Sequence, residues 1–135
     1  MMLFFLIIAL ACATAIADMS VFFNGAYTDP NHPDCPRAIM PNDWSNAAAG
    51  AYTDGVDNVA GEGVSCKNAA TADLVTWGPL PTAINGTAIT IDFSSKGGPS
   101  NLHGEWKQGT DTDGTPFYRI VWEDGNHWDQ IQPTR

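Results

Sequence analysis

TAITIDF, Thr87 to Phe93, is the stretch whose reading decides the fold. Ile89, Ile91 and Phe93 recur at every second residue, with Thr90 and Asp92 between them. A period of two sends the apolar set to one face of a strand and the polar set to the other. β-Branched residues suit such a pleated, half-buried surface.

The same alternation extends outward from this segment. Leu102 to Trp106 follows, placing Leu102 and Trp106 inward and His103 and Glu105 outward. Phe117 to Trp122 aligns Tyr118, Ile120 and Trp122 on one side. Asp124-Gly125-Asn126 then makes a tight reversal, and His127 to Ile131 returns as the last strand. Upstream, Val21 to Tyr27 reads as the first strand, with Phe23 and Tyr27 on one face and Phe22 on the other, and Leu74 to Trp77 as a short second one. Asn42 to Gly63, rich in Gly, Ala, Asn and Asp, is predicted to be mostly loop, with room for one short hairpin. No segment sustains a helical period, and thirteen Gly and nine Pro predict frequent turns. The fold class is therefore all-β: a small antiparallel barrel or sandwich of six to eight strands. GAYTD occurs at Gly25–Asp29 and again at Gly50–Asp54. The flanks do not match and no fixed period follows, so the echo reads as two similar strand-to-turn exits and not as a repeat array.

The opening MMLFFLIIALACATAIA, residues 1–17, carries no charged side chain and ends in Ala15-Ile16-Ala17. An apolar core followed by an A-x-A site reads as a secretory signal peptide, although this n-region carries only the α-amino charge. The alternative, a membrane anchor, needs roughly 20 apolar residues, and this run stops at Asp18. Residues 18–135 then form a single secreted β domain, with no membrane span after signal cleavage. All charge lies there: fifteen acidic residues against six basic ones, net −9. A nucleic-acid partner demands a basic face, which six scattered Lys and Arg do not make. Cys12 leaves with the signal, and the remaining pair, Cys35 and Cys66, is most simply one disulfide in an oxidising compartment. Zinc ligation is the alternative reading, but no spaced Cys or His pair completes four ligands. Asn85-Gly86-Thr87 is an N-glycosylation sequon.

Three segments, DPNHPDCPR near the start, IDFSSKGGPSNLHGEW in the middle and IVWEDGNHW at the end, resemble those of a set of small secreted single-domain proteins of algae and other protists. That set carries a D-P-x-H-P-x-C opening, a D-F-S-x-K-G-G-P segment and a closing D-G-N-x-W. The resemblance covers most of the chain after residue 17. It implies one coherent β-rich domain, and it carries no activity and no catalytic residue across.

Chemistry-bearing motifs are sparse. Asp54-Gly55-Val56-Asp57-Asn58 and Asp111-Thr112-Asp113-Gly114 look like fragments of calcium loops, but neither has the full ligand spacing, and Asp/Gly clusters between strands usually make turns. His103 with Glu105, and His127 with Asp129, share strand faces, a spacing that fits a general base but also any solvent-facing strand. No nucleophile elbow, zinc helix or phosphate loop is present, so neither a catalytic residue nor a metal site nor a cofactor is assigned, and the chain is read as non-enzymatic. Five tryptophans stand out in so small a domain. Trp106 and Trp122 share the faces of core residues. Trp44 and Trp128 have polar neighbours, and with His127 and Asn126 they are the candidate ligand-binding set, the two rings expected to be exposed for stacking on sugars. Two function classes result. One is a secreted binding module for glycans or another extracellular ligand. The other is an extracellular structural or interaction protein with no small-molecule site, whose tryptophans are all buried. The oligomeric state is not set by the sequence.

Overall fold

The computed structural model describes residues 20–43 and 50–133. Eight antiparallel strands close into an up-and-down barrel in simple sequence order. They are β1 (Gly25–Thr28), β2 (Arg37–Pro41), β3 (Ala51–Asn58), β4 (Leu74–Asn85), β5 (Ala88–Ile91), β6 (Leu102–Thr110), β7 (Pro116–Trp122) and β8 (His127–Gln130). β8 returns to β1, where Thr28 faces Asp129 and Tyr27 faces Gln130, so the sheet has no free edge. A single helical turn, α1 (Ser20–Phe23), precedes β1. The Cys35–Cys66 disulfide is formed, with Cα atoms 5.0 Å apart.

The alternation read from Thr87–Phe93 holds: Ile89, Ile91 and Phe93 are buried, and they meet Tyr27, Ile39, Leu80, Trp106, Ile120 and Trp122 inside the barrel. Each such side chain stabilises the fold by about 1.5–3 kcal/mol. Thr53 and Thr82 also point inward, and their hydroxyls satisfy each other at 2.7 Å.

The first predicted strand differs. Ser20–Phe23 is a helical turn, and the strand begins only at Gly25. Phe23 and Tyr27 are both buried, as a period of four also permits, and the Tyr27 hydroxyl donates to the Phe23 carbonyl at 2.6 Å. Phe23 closes this pole of the barrel by packing edge-on to Trp106, ring centroids 5.4 Å apart.

Two further expectations need correction. β3 occupies Ala51–Asn58 within the segment predicted to be mostly loop, because its inward residues are Ala51, Thr53, Gly55 and Asp57, which give no apolar alternation. The second GAYTD copy therefore starts a strand instead of leaving one. Both copies open on a glycine with positive φ, 149° at Gly25, the first residue of β1, and 80° at Gly50, just before β3. β4 runs twelve residues, well past Trp77. Its Gly78-Pro79 pair lies opposite the single residue Asp54, where the register with β3 shifts, so the proline sits at a bulge where a strand tolerates it.

Candidate functional site

Because the strands alternate in direction, four connections gather at the pole opposite Phe23: residues 29–36, 59–73, 92–101 and 123–126. The three segments that carry the resemblance supply three of these four connections. They enclose a cup of about 300 Å³.

Its floor is charged. Arg37 shares the inward face of β2 with Ile39, and its side chain is 1% exposed. One terminal nitrogen donates to Asp57 Oδ1 at 2.7 Å and to Asp29 Oδ2 at 3.2 Å, and the other to the Val56 carbonyl. Asp29 is held by the first connection, whose three prolines and Asx turn keep it extended and tight: its Oδ1 accepts from the Asn31 N–H at 3.0 Å. The same oxygen accepts from Asn126 Nδ2 at 2.9 Å, and Oδ2 meets His32 Nδ1 at 2.9 Å. Burial alone would raise the Asp29 carboxyl, but the hydrogen bonds from Asn126, His32 and Asn31 together with the Arg37 charge hold it below the usual carboxylate range. At Asp57 burial is likewise outweighed, by the Lys96 hydrogen bond and the charges of Arg37 and Lys96.

The wall is aromatic. Trp122 and Trp128 meet edge to face at 4.9 Å, and Phe93 stands edge-on to Trp128 at 6.2 Å and to Trp77 at 6.0 Å. Two glycines make room for the indoles. A Cβ at Gly55 would lie 2.4 Å from Trp77 Cζ2, and one at Gly104 would lie 2.7 Å from Trp122 Cε3. The Arg37 guanidinium lies 5.3 Å from the Trp77 ring centre and 5.9 Å from that of Trp128, and Lys96 Nζ lies 4.2 Å from Trp77. Lys96 belongs to the 3-10 turn Ser94–Lys96. The connection that carries it is closed on itself by Phe93 N–H to the Pro99 carbonyl and Gly98 N–H to the Phe93 carbonyl.

The first two connections are stapled together. Besides the disulfide, Cys66 N–H reaches the Pro33 carbonyl at 3.0 Å, Gly63 N–H reaches the Asn31 carbonyl at 2.8 Å, and the Ser65 hydroxyl reaches Asp34 at 2.6 Å.

Of the residues singled out by sequence, Asn126 and Trp128 line this cup. Trp128 is only 4% exposed, so it is a wall ring and not the exposed stacking platform expected of it. An inward position on β8, opposite Ile120, outweighs its polar neighbours in sequence. His127 faces the outer surface, 3.5 Å from Asp129. Trp44 lies outside the described residues. Asn85 is exposed at the β4–β5 hairpin, at the closed pole. The two calcium-like stretches have other roles. Asp57 belongs to the ion-pair floor, and Asp111–Gly114 is the β6–β7 turn, where Asp113 accepts from the Thr115 N–H at 2.9 Å. His103 stands outside the barrel, bonded to Thr90 at 2.9 Å. Among the described residues no group of three or more His, Cys, Asp or Glu is placed to hold a metal ion. None of their helices is long and apolar enough to cross a membrane.

Arg37, Asp29, Asp57, Lys96 and Trp77 escaped the sequence reading. The available signal was Arg37, a cation placed two residues before Ile39 and so on the same strand face. No family model, curated protein or solved structure matches the chain.

Proposed function

We propose that this chain is a secreted, non-enzymatic β-barrel that binds a small extracellular ligand in the cup between its four connections. The observation that carries the reading is the cup itself, a concave space of about 300 Å³ with an aromatic wall and a few convergent charged groups at its floor. Trp77, Trp122 and Arg37 are among the residues that line it, and each also holds one ring or guanidinium N–H that is shut off from solvent with no hydrogen-bond partner within the protein. Buried polar groups are nearly always paired, and leaving one unpaired costs about 1–3 kcal/mol. The signal-like opening read from residues 1–17 and the Cys35–Cys66 disulfide fit an extracellular binding module. Glycans remain a ligand class to test, with the ring inserted between indoles and not laid on a surface platform.

Tryptophan fluorescence titration against a glycan set and a collection of ring-sized small molecules tests this. Binding is expected to shift or quench emission in the wild type and to do so far less in Trp122→Phe. The rival reading, an exterior structural protein with no small-molecule site, draws support from the burial of Trp77, Trp106, Trp122 and Trp128. Silence across every ligand class would favour it.

A further inference from the structure

The sequon Asn85-Gly86-Thr87 belongs to a part of the barrel that the cup does not use. We propose that Asn85 carries an N-linked glycan on the β4–β5 hairpin. The proposal rests on the secretory reading of residues 1–17 and is independent of any ligand in the cup.

An N-linked oligosaccharide is bulky and solubilising, so a folded barrel keeps one only where the asparagine side chain leaves the core. The alternation of β4 decides this. Leu80 and Thr82 are buried and Ile84 packs against the core, so Pro81, Ala83 and Asn85, all exposed, take the outer face. Asn85 pairs with Ala88, which leaves Gly86 and Thr87 as a two-residue turn. Gly86 supplies the positive φ, 61°, that such a hairpin needs.

The surroundings are open. A Cβ built on Gly86 would meet nothing within 4 Å. Across the hairpin, Ala88 shares the outer face because Ile89 and Ile91 point inward, and its methyl leaves room beside the first sugar. The next outward neighbour is Glu105 on β6, which accepts from the Thr87 hydroxyl at 3.0 Å. No other asparagine of the chain heads a sequon; in the cup, Asn31 and Asn126 are followed two residues on by Pro33 and Trp128. A glycan at Asn85 therefore stands at the closed pole and leaves the cup clear.

The step is a glycosyl transfer to the unfolded chain as it enters the secretory compartment. The Asn85 amide nitrogen bonds C1 of a reducing-end sugar carried on a lipid pyrophosphate. The bond from C1 to the phosphate oxygen breaks, the lipid pyrophosphate leaves, and the amide gives up one proton.

The test expresses the full chain, with its own residues 1–17, in a eukaryotic secretory host and recovers it from the medium. Wild type is expected to be heavier than Asn85→Gln by one oligosaccharide, and peptide-N-glycosidase to remove the difference. Because Asn85 points outward, the folded oxidised protein should release the glycan without denaturation; release only from denatured protein overturns this placement. Thr87→Ala should lose the glycan, whereas Glu105→Ala, which breaks the same hydrogen bond, should keep it. Asn85→Gln should melt nearly where digested wild type does, as surface substitutions do. Export with the disulfide formed, but with equal mass in wild type and Asn85→Gln, overturns the proposal and leaves the secretory reading standing. Retention in the cytosol overturns both.

Discussion

Arg37 is a buried cation whose charge is met by Asp29 and Asp57 from two other parts of the chain, and its removal tests the floor directly. Arg37→Met strips Asp29 of its countercharge while leaving the carboxylate buried, which costs about 3–5 kcal/mol when one partner of a buried pair is deleted. We expect that loss in urea denaturation, with part of it recovered when Asp29→Asn is added. The same carboxylates set the acid limit. Asp29 and Asp57 bind protons more weakly in the folded protein than at their ordinary value of 3.8, so the unfolded chain takes up more protons as the pH falls. Their contribution is complete above that value and is lost as the pH drops below it, through the lower folded values. Thermal denaturation between pH 6 and pH 2 should show a flat region and then a decline beginning near pH 4, and Asp57→Asn should make that decline shallower. Gly55 offers a third check. Gly55→Ala would press a methyl onto Trp77 Cζ2 and the Pro36 carbonyl at 2.4 and 2.9 Å. We expect a loss of about 1–3 kcal/mol from overpacking and a changed tryptophan emission.

At the scale of elements, the connections are better fixed than their turn-rich composition suggests. The disulfide closes a separation of 31 residues between the first two connections of the cup, and such closures are worth about 2–4 kcal/mol. Replacing both cysteines with serine should lower the denaturation midpoint accordingly and abolish any further effect of reductant, measured with the wild type alongside. How far these elements were legible depended on what their residues advertise. β5, β6 and β7 announced themselves because Ile89, Ile91, Trp106, Ile120 and Trp122 alternate with polar residues. β3 did not, since a barrel wall next to a polar cup is built from Thr53, Gly55 and Asp57, and small or charged inward residues carry no apolar period. The continuation of β4 was hidden by Pro79 and Pro81, which read as breakers until the bulge opposite Asp54 accommodates the first of them. The site suffered most. Asp29, Arg37, Asp57 and Lys96 come from different connections and strands, and only closure of the barrel brings them together.

At the scale of the whole molecule, acidity and closure act on different parts. The chain carries a net charge of −9, and such self-repulsion weakens a compact state. Raising ionic strength from about 0.01 M to about 0.15 M shortens the screening length from about 30 Å to about 8 Å. The melting temperature should therefore rise by a few degrees, while ion pairs buried in the floor, which salt screens poorly, keep Arg37→Met just as damaging in either buffer. Closure also fixes where the chain ends go. α1 leads into β1 at the pole that Phe23 plugs, and β8 runs back to the same pole, where Gln130 Nε2 donates to the Phe22 carbonyl at 2.7 Å and Ile131 N–H to the Ala26 carbonyl at 2.8 Å. Both described ends thus leave the barrel on the side away from the cup. A label, a bead or a neighbouring domain fused to either end would hold the protein by its base, with its mouth turned outward.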